Sequence, residues 1–197
     1  NYIKYIEKCK RGDAVIKSKK VSLGEMVKQA YKYSCGSMFD NSVEIDALNI
    51  AWKDQCKNSL DSIFENAIAM LDTSASMTWE NCPFYDAMGI AIRIAEKSSL
   101  GKRIMTFSNK PSWMKFDDIN TLTGFVNKIK NEANIGYNTN IYASMQMIAD
   151  ACVEKNLHPS VVENMFLCIL SDMQIDSAIK NYNNATLNDN IKTIFHN

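Results

Sequence analysis

Three short, almost wholly apolar runs constrain this chain more than anything else in it: Ala67–Leu71, Arg103–Phe107 and Met165–Leu170. Each is too short for a helix of ordinary length. Their unbroken hydrophobicity suits a strand buried on both faces, the pattern of a parallel sheet covered by helices. Ser112–Phe116, behind Pro111, reads as a further short strand. Between the runs the period changes to 3.6. Phe84, Met88, Ala91, Ile92 and Ala95 trace one helix face, with Pro83 suited to its first turn. Ile119, Leu122, Val126 and Ile129 trace a second, with Asp117 or Asp118 as its cap, and Ile141, Met145, Ile148, Ala149 and Cys152 a third. Strand, helix, strand, strand, helix, helix, strand is the order of a doubly wound α/β domain with a mainly parallel sheet.

Residues 1–62 read differently, as a helical segment ahead of an α/β domain over 63–197. Leu23, Met26, Val27, Ala30 and Tyr31 follow a helical period, as do Val43, Ala47, Ile50 and Ala51, with "YSCGSMFDN" as the loop between them.

Composition narrows the function classes. The 197 residues are 46% apolar, with 22 basic and 22 acidic side chains. A zero balance gives no chain-wide electrostatic case for nucleic acid or membrane binding. The local basic run (Lys8, Lys10, Arg11, Lys17, Lys19, Lys20) reads as a solvated face. No stretch approaches a membrane span of about 20 apolar residues, and no signal peptide is visible. Six scattered cysteines without a CxxC pair fit a reducing, intracellular setting, and Cys152 and Cys168 look like small core residues. His158 and His196 are the only histidines, and neither has a cysteine at zinc-ligand spacing.

The chemistry gathers where the first run ends, in "IAMLDTSASM". In a parallel sheet ligands bind outside the carboxyl ends of the strands, where the strand order reverses. Asp72 ends the first strand and Asp172 follows the last. If those strands are neighbours, both carboxylates enter one surface crevice, overhung by Ser74 and Ser76 and approached by Thr139 from "GYNTN". Two carboxylates and three hydroxyls form a hard-oxygen set suited to Mg²⁺, Mn²⁺ or Ca²⁺. The neutral hydroxyls leave such an ion electrophilic enough to take an Asp or Glu from a partner. Helix capping by Ser74 and Ser76 is the plainer alternative.

"LDTSASM" resembles the DxSxS motif of von Willebrand factor A domains, "GYNTN" their threonine loop and "LSDMQID" their second aspartate. The ordered set, with Trp52-Lys53 before it and "IMTFSNKP" within it, resembles an uncharacterised TROVE/von Willebrand A-like family of plants, fungi and giant DNA viruses over residues 45–177. The resemblance implies a metal-ion-dependent adhesion site: Ser74, Ser76 and Thr139 as direct ligands, Asp72 and Asp172 direct or through water. It implies a non-enzymatic protein–protein interaction module, cytoplasmic or carried in a virion, without catalytic residues. That fold has six strands, so the fourth strand is expected to be left with an open edge that further chain or a partner covers.

Two other classes follow from other resemblances. TROVE relatives hold RNA in a helical ring, whose end would fit residues 1–62, and Tyr2, Tyr5, Tyr31 and Tyr33 lie among basic residues there. Haloacid-dehalogenase-type phosphatases also end a first strand in aspartate, but with a DxDxT pattern. Ser74 stands here in place of their acid/base.

Overall fold

The computed structural model describes residues 1–16, 18, 21–35, 41–56, 64–78, 83–137, 140–172, 192 and 194. Three helices come first: α1 (Tyr2–Arg11), α2 (Leu23–Tyr33) and α3 (Ser42–Cys56). β1 (Ala67–Asp72), α4 (Phe84–Lys97), β2 (Arg103–Phe107) and β3 (Ser112–Lys115) follow. α5 (Leu122–Glu132), α6 (Ile141–Glu154), the short α7 (Pro159–Glu163) and β4 (Phe166–Leu170) complete the described elements. The sheet order is β3-β2-β1-β4. β2 and β4 both run parallel to β1, and β3 returns antiparallel beside β2. This is the doubly wound α/β fold read from the sequence, with α7 an extra turn before β4.

Alternation along β1 sorts its side chains into two cores. Ala67, Ala69 and Leu71 join Ile104 and Met114 under α4 and α5. Ile68 and Met70 join Met105 and Phe107 against Ile141, Met145 and Ile148 of α6. The crossover from β1 to β2 and the return to β4 thus use opposite faces while running in opposite directions along the sheet, as crossovers of one hand require. Cys152 lies half-buried against the α6 core and Cys168 half-buried against the opposite core under α4 and α5, and burial raises the pKa of both thiols.

α4 is buried nearly all round, from Phe84 to Ala95, because it is covered on both sides. Its inner face meets β1. Its outer face meets α2, and Met26, Val27, Ala30, Leu48 and Trp52 share one core with the sheet. The crossing is close: a Cβ on Gly89 would lie 2.9 Å from Leu23 Cβ. α2 and α3 therefore form an outer layer over α4 and α5.

Some local expectations shift. α5 is capped by Thr121, whose hydroxyl accepts from the Gly124 N–H, and neither Asp117 nor Asp118 does so. Pro83 sits at the N-cap of α4, one residue before its first turn. α3 buries Leu48 and Trp52 fully, while Val43, Ala47, Ile50 and Ala51 are half-buried, Ala51 against the same core. β4 is an edge of the described sheet, and Phe166 at its start is 64% exposed.

Candidate metal centre

β1 and β4 are neighbours, paired from Ala67↔Phe166 to Leu71↔Leu170. β2 lies on the other side of β1, so the strand order reverses between β1 and β4. The crevice outside their carboxyl ends is where this fold class places ligands. Continuing the register sets Ser171 beside Asp72, with Asp172 one position further.

Asp72 is fully buried and forms no ion pair with the described residues. Its Oδ1 accepts the Ser74 N–H at 2.8 Å and its Oδ2 accepts the Ser171 hydroxyl at 2.6 Å. Buried carboxylates are ordinarily paired with a cation or bound to a metal. The burial corrects the expectation of a surface crevice around this side chain. Asp72→Ala would strand two donors, so Asp72→Asn is the cleaner removal of charge.

Ser74 is buried and Ser76 half-buried, with their Oγ atoms 3.0 Å apart. The two hydroxyls are hydrogen-bonded to each other, and two adjacent ligands of an octahedral ion at about 2.0–2.1 Å lie at a similar separation of about 2.9 Å. The helix-capping alternative does not describe these serines. A 3₁₀ turn, Ala75–Thr78, follows Ser74, but the Ser74 hydroxyl engages Ser76 Oγ and only its carbonyl meets the turn, at Met77 N. The N-cap position of α4 is Pro83, which makes no side-chain cap.

Thr139 lies outside the described residues, but its loop is tied down on both sides of it. Gly136 forms a parallel bridge with Ser74: the Ala75 N–H donates to Gly136 O at 2.8 Å, and the Gly136 N–H to Thr73 O at 3.3 Å. The Thr73 and Ser108 hydroxyls both donate to Asn134 O, at 2.7 and 2.9 Å. The Asn140 N–H reaches Ser108 O at 3.0 Å, and the Asn140 side chain caps α6. The loops after β1 and β2 and before α6 thus interlock around the crevice. Gly136 is needed for the approach: an added Cβ would lie 3.0 Å from Asn109 N, Asn109 Cγ and Ser108 Cβ. Gly136→Ala is expected to cost about 1–3 kcal/mol in urea denaturation, because backbone cannot yield as a side-chain tip can.

The contacts therefore bring together Asp72, Ser74, Ser76 and Ser171, and Asp172 directly follows Ser171 at the same end of the sheet. Ser171 was legible in principle: once Leu71 pairs with Leu170, residue 171 must face residue 72. Among the described residues no group of three or more His, Cys, Asp or Glu is placed to hold a metal, so a cation here would depend on hydroxyl oxygens. Among the tyrosines of the N-terminal helices, Tyr31 stacks edge-on with Tyr85 at 5.5 Å and Tyr33 packs on the core, whereas Tyr2 and Tyr5 are 54% and 42% exposed. No described helix is long and apolar enough to cross a membrane.

No solved structure matches the chain. It is 27% identical over 178 residues to Uncharacterized protein L728 of Acanthamoeba polyphaga mimivirus, covering 89% of this chain and 29% of that protein. The chain thus spans less than a third of the length of this relative. The profile of a family described as a domain of unknown function, DUF7788, matches residues 66–197, from the threshold of β1 onward, and the chain belongs to that family.

Proposed function

We propose that this chain is a non-enzymatic protein–protein interaction module that holds a Mg²⁺-type ion in the crevice between β1 and β4 and offers it to an acidic side chain of a partner. The observation that carries the reading is the fully buried Asp72, without a cation among the described residues, next to two serine hydroxyls 3.0 Å apart. Ser74 and Ser76 would bind the ion directly, and Asp72 and Asp172 would balance its charge. Thr139 would complete the set from the interlocked loop. The bound ion would supply a Lewis-acid position for a partner carboxylate. The von Willebrand A resemblance of the same residues supports the reading.

Calorimetric titration with Mg²⁺ tests it. The parent is expected to bind, Asp72→Asn to lose roughly 100-fold or more in affinity, and Asp172→Asn less, as for a group acting through water. Equal Mg²⁺ binding by the parent and Asp72→Asn would sink the assignment. A second measurement addresses the partner: immobilised polyglutamate should retain the chain in Mg²⁺ and release it in EDTA. Salt-dependent retention on generic RNA, insensitive to EDTA, would point instead to RNA binding.

A further inference from the structure

We infer that Ser171 is a positioning residue that aims the Asp72 carboxylate at the ion, an inference that rests on the metal reading above. The torsion that turns a carboxylate about its own axis is broad and nearly two-fold, so one hydrogen bond leaves its plane loosely set. Asp72 receives two donors on two different oxygens. The Ser74 N–H holds Oδ1 from the loop that follows β1. The Ser171 hydroxyl holds Oδ2 from the neighbouring strand, 99 residues away in sequence, at 2.6 Å. That is the short range of an O–H donor on an ionised acceptor. The two together fix the carboxylate plane and leave one lone pair on each oxygen free.

Water is a poor substitute for Ser171, because Asp72 is fully buried. The Ser74 N–H comes from the same loop as the proposed Ser74 and Ser76 ligands and moves with them. Ser171 is the anchor outside that loop. It also ties the ion to β4, an edge of the described sheet whose last four residues are only half-buried. Donors to ligand groups of this kind ordinarily govern affinity by 10–100-fold.

Mg²⁺ affinity, measured well below each variant's unfolding midpoint, tests this in the full chain. Ser171→Ala is expected to bind about tenfold more weakly, and Ser171→Thr, which keeps the hydroxyl, to restore binding. Thr106→Val is the structural control: its hydroxyl contacts Ser112 at 3.0 Å in the β2–β3 hairpin, so it should lose stability but not affinity. Should Ser171→Ala not fold, the isosteric pair Ser171→Thr and Ser171→Val decides, with only the threonine variant binding tightly. A parent that binds Mg²⁺ and a Ser171→Ala or Ser171→Val variant that binds equally well overturn the positioning role and leave the metal site intact. A parent that does not bind Mg²⁺ overturns the metal reading and this inference with it.

Discussion

A chain that begins at residue 63 is expected to aggregate instead of folding. α2 and α3 place Met26, Val27, Ala30, Leu48 and Trp52 in the same core as the sheet face. At about 1.5–3 kcal/mol per buried Val, Leu or Met, the three such side chains alone are worth roughly 5–9 kcal/mol. A whole domain has a net stability of only about 5–15 kcal/mol. Removing the layer would also uncover the outer face of α4, and a contiguous apolar patch of that kind drives association. Trp52→Ala gives a graded version. Trp52 is 1% exposed, and the Arg93 guanidinium stacks 3.5 Å from its ring centroid. Burial draws the Arg93 pKa down to about 10, with Glu96 opposing the shift, so the group remains cationic at neutral pH and depends on its partners. It donates to Glu96 at 3.1 Å, to the Trp52 carbonyl at 2.8 Å and to the Cys56 thiol. The Trp52 indole N–H also donates to Glu96 at 3.1 Å. Truncating the indole removes a large buried ring, the stacking partner of Arg93 and one hydrogen bond to Glu96, with an expected loss of about 3–5 kcal/mol in chemical denaturation. A soluble 63–197 chain that unfolds cooperatively and binds Mg²⁺ like the parent would refute the shared core.

The shared core shows where periodicity stopped being informative. The three apolar runs announced β1, β2 and β4 to within a residue, because a strand buried on both faces has no polar position to blur it. The spacing over 84–97 marks a helix, yet it marks only one face, that of Phe84, Met88, Ala91, Ile92 and Ala95, as apolar. Gly89, Ile94 and the buried Arg93 lie off that face, and they are what a second covering layer requires. A helix apolar all round belongs between two layers. Gly24 and Gly89 carried the same message, since small residues on two helices permit a close crossing, but glycine within a helix reads locally only as a weak helix former.

The candidate site was legible to a different depth. Asp72, Ser74, Ser76 and Asp172 could be read from the ends of runs, because strand direction alone decides which end of a parallel sheet they occupy. That β1 and β4 are adjacent is a long-range fact the spacing does not encode, and Ser171 follows only from it. The burial of Asp72 was also hidden. It depends on the loop of residues 134–137 folding back over the loop after β1, and no local pattern reports that. Phe107 shows the same division: its place in an apolar run was plain, but its backbone partner Thr73 and its neighbour α6 were not.

Phe107→Ala is expected to couple stability to the site, and a matched substitution separates the two effects. Phe107 is fully buried in the core between the sheet and α6, with Ile141 and Met145. Its carbonyl accepts the Thr73 N–H at 3.0 Å, extending β1 pairing into the loop that carries Ser74. Ile141 directly follows Asn140, which is held to Ser108 O next to Phe107. Replacing the ring with a methyl should cost about 3–5 kcal/mol and let the start of α6 settle toward the cavity. That movement draws the loop of residues 134–140 away from the crevice, so Mg²⁺ affinity should fall with stability, by roughly tenfold, in keeping with the loss of a supporting contact. Phe125→Ala is the comparison. Phe125 is equally buried but lies on the opposite face of the sheet, 4.8 Å from the Phe116 ring and remote from the loops after β1 and β2. It should lose a similar 3–5 kcal/mol while its folded population keeps the parent's affinity. Equal Mg²⁺ affinity in the two variants, measured where both are folded, would show that α6 does not set the site, and Thr139 would then lose its proposed place among the ligands.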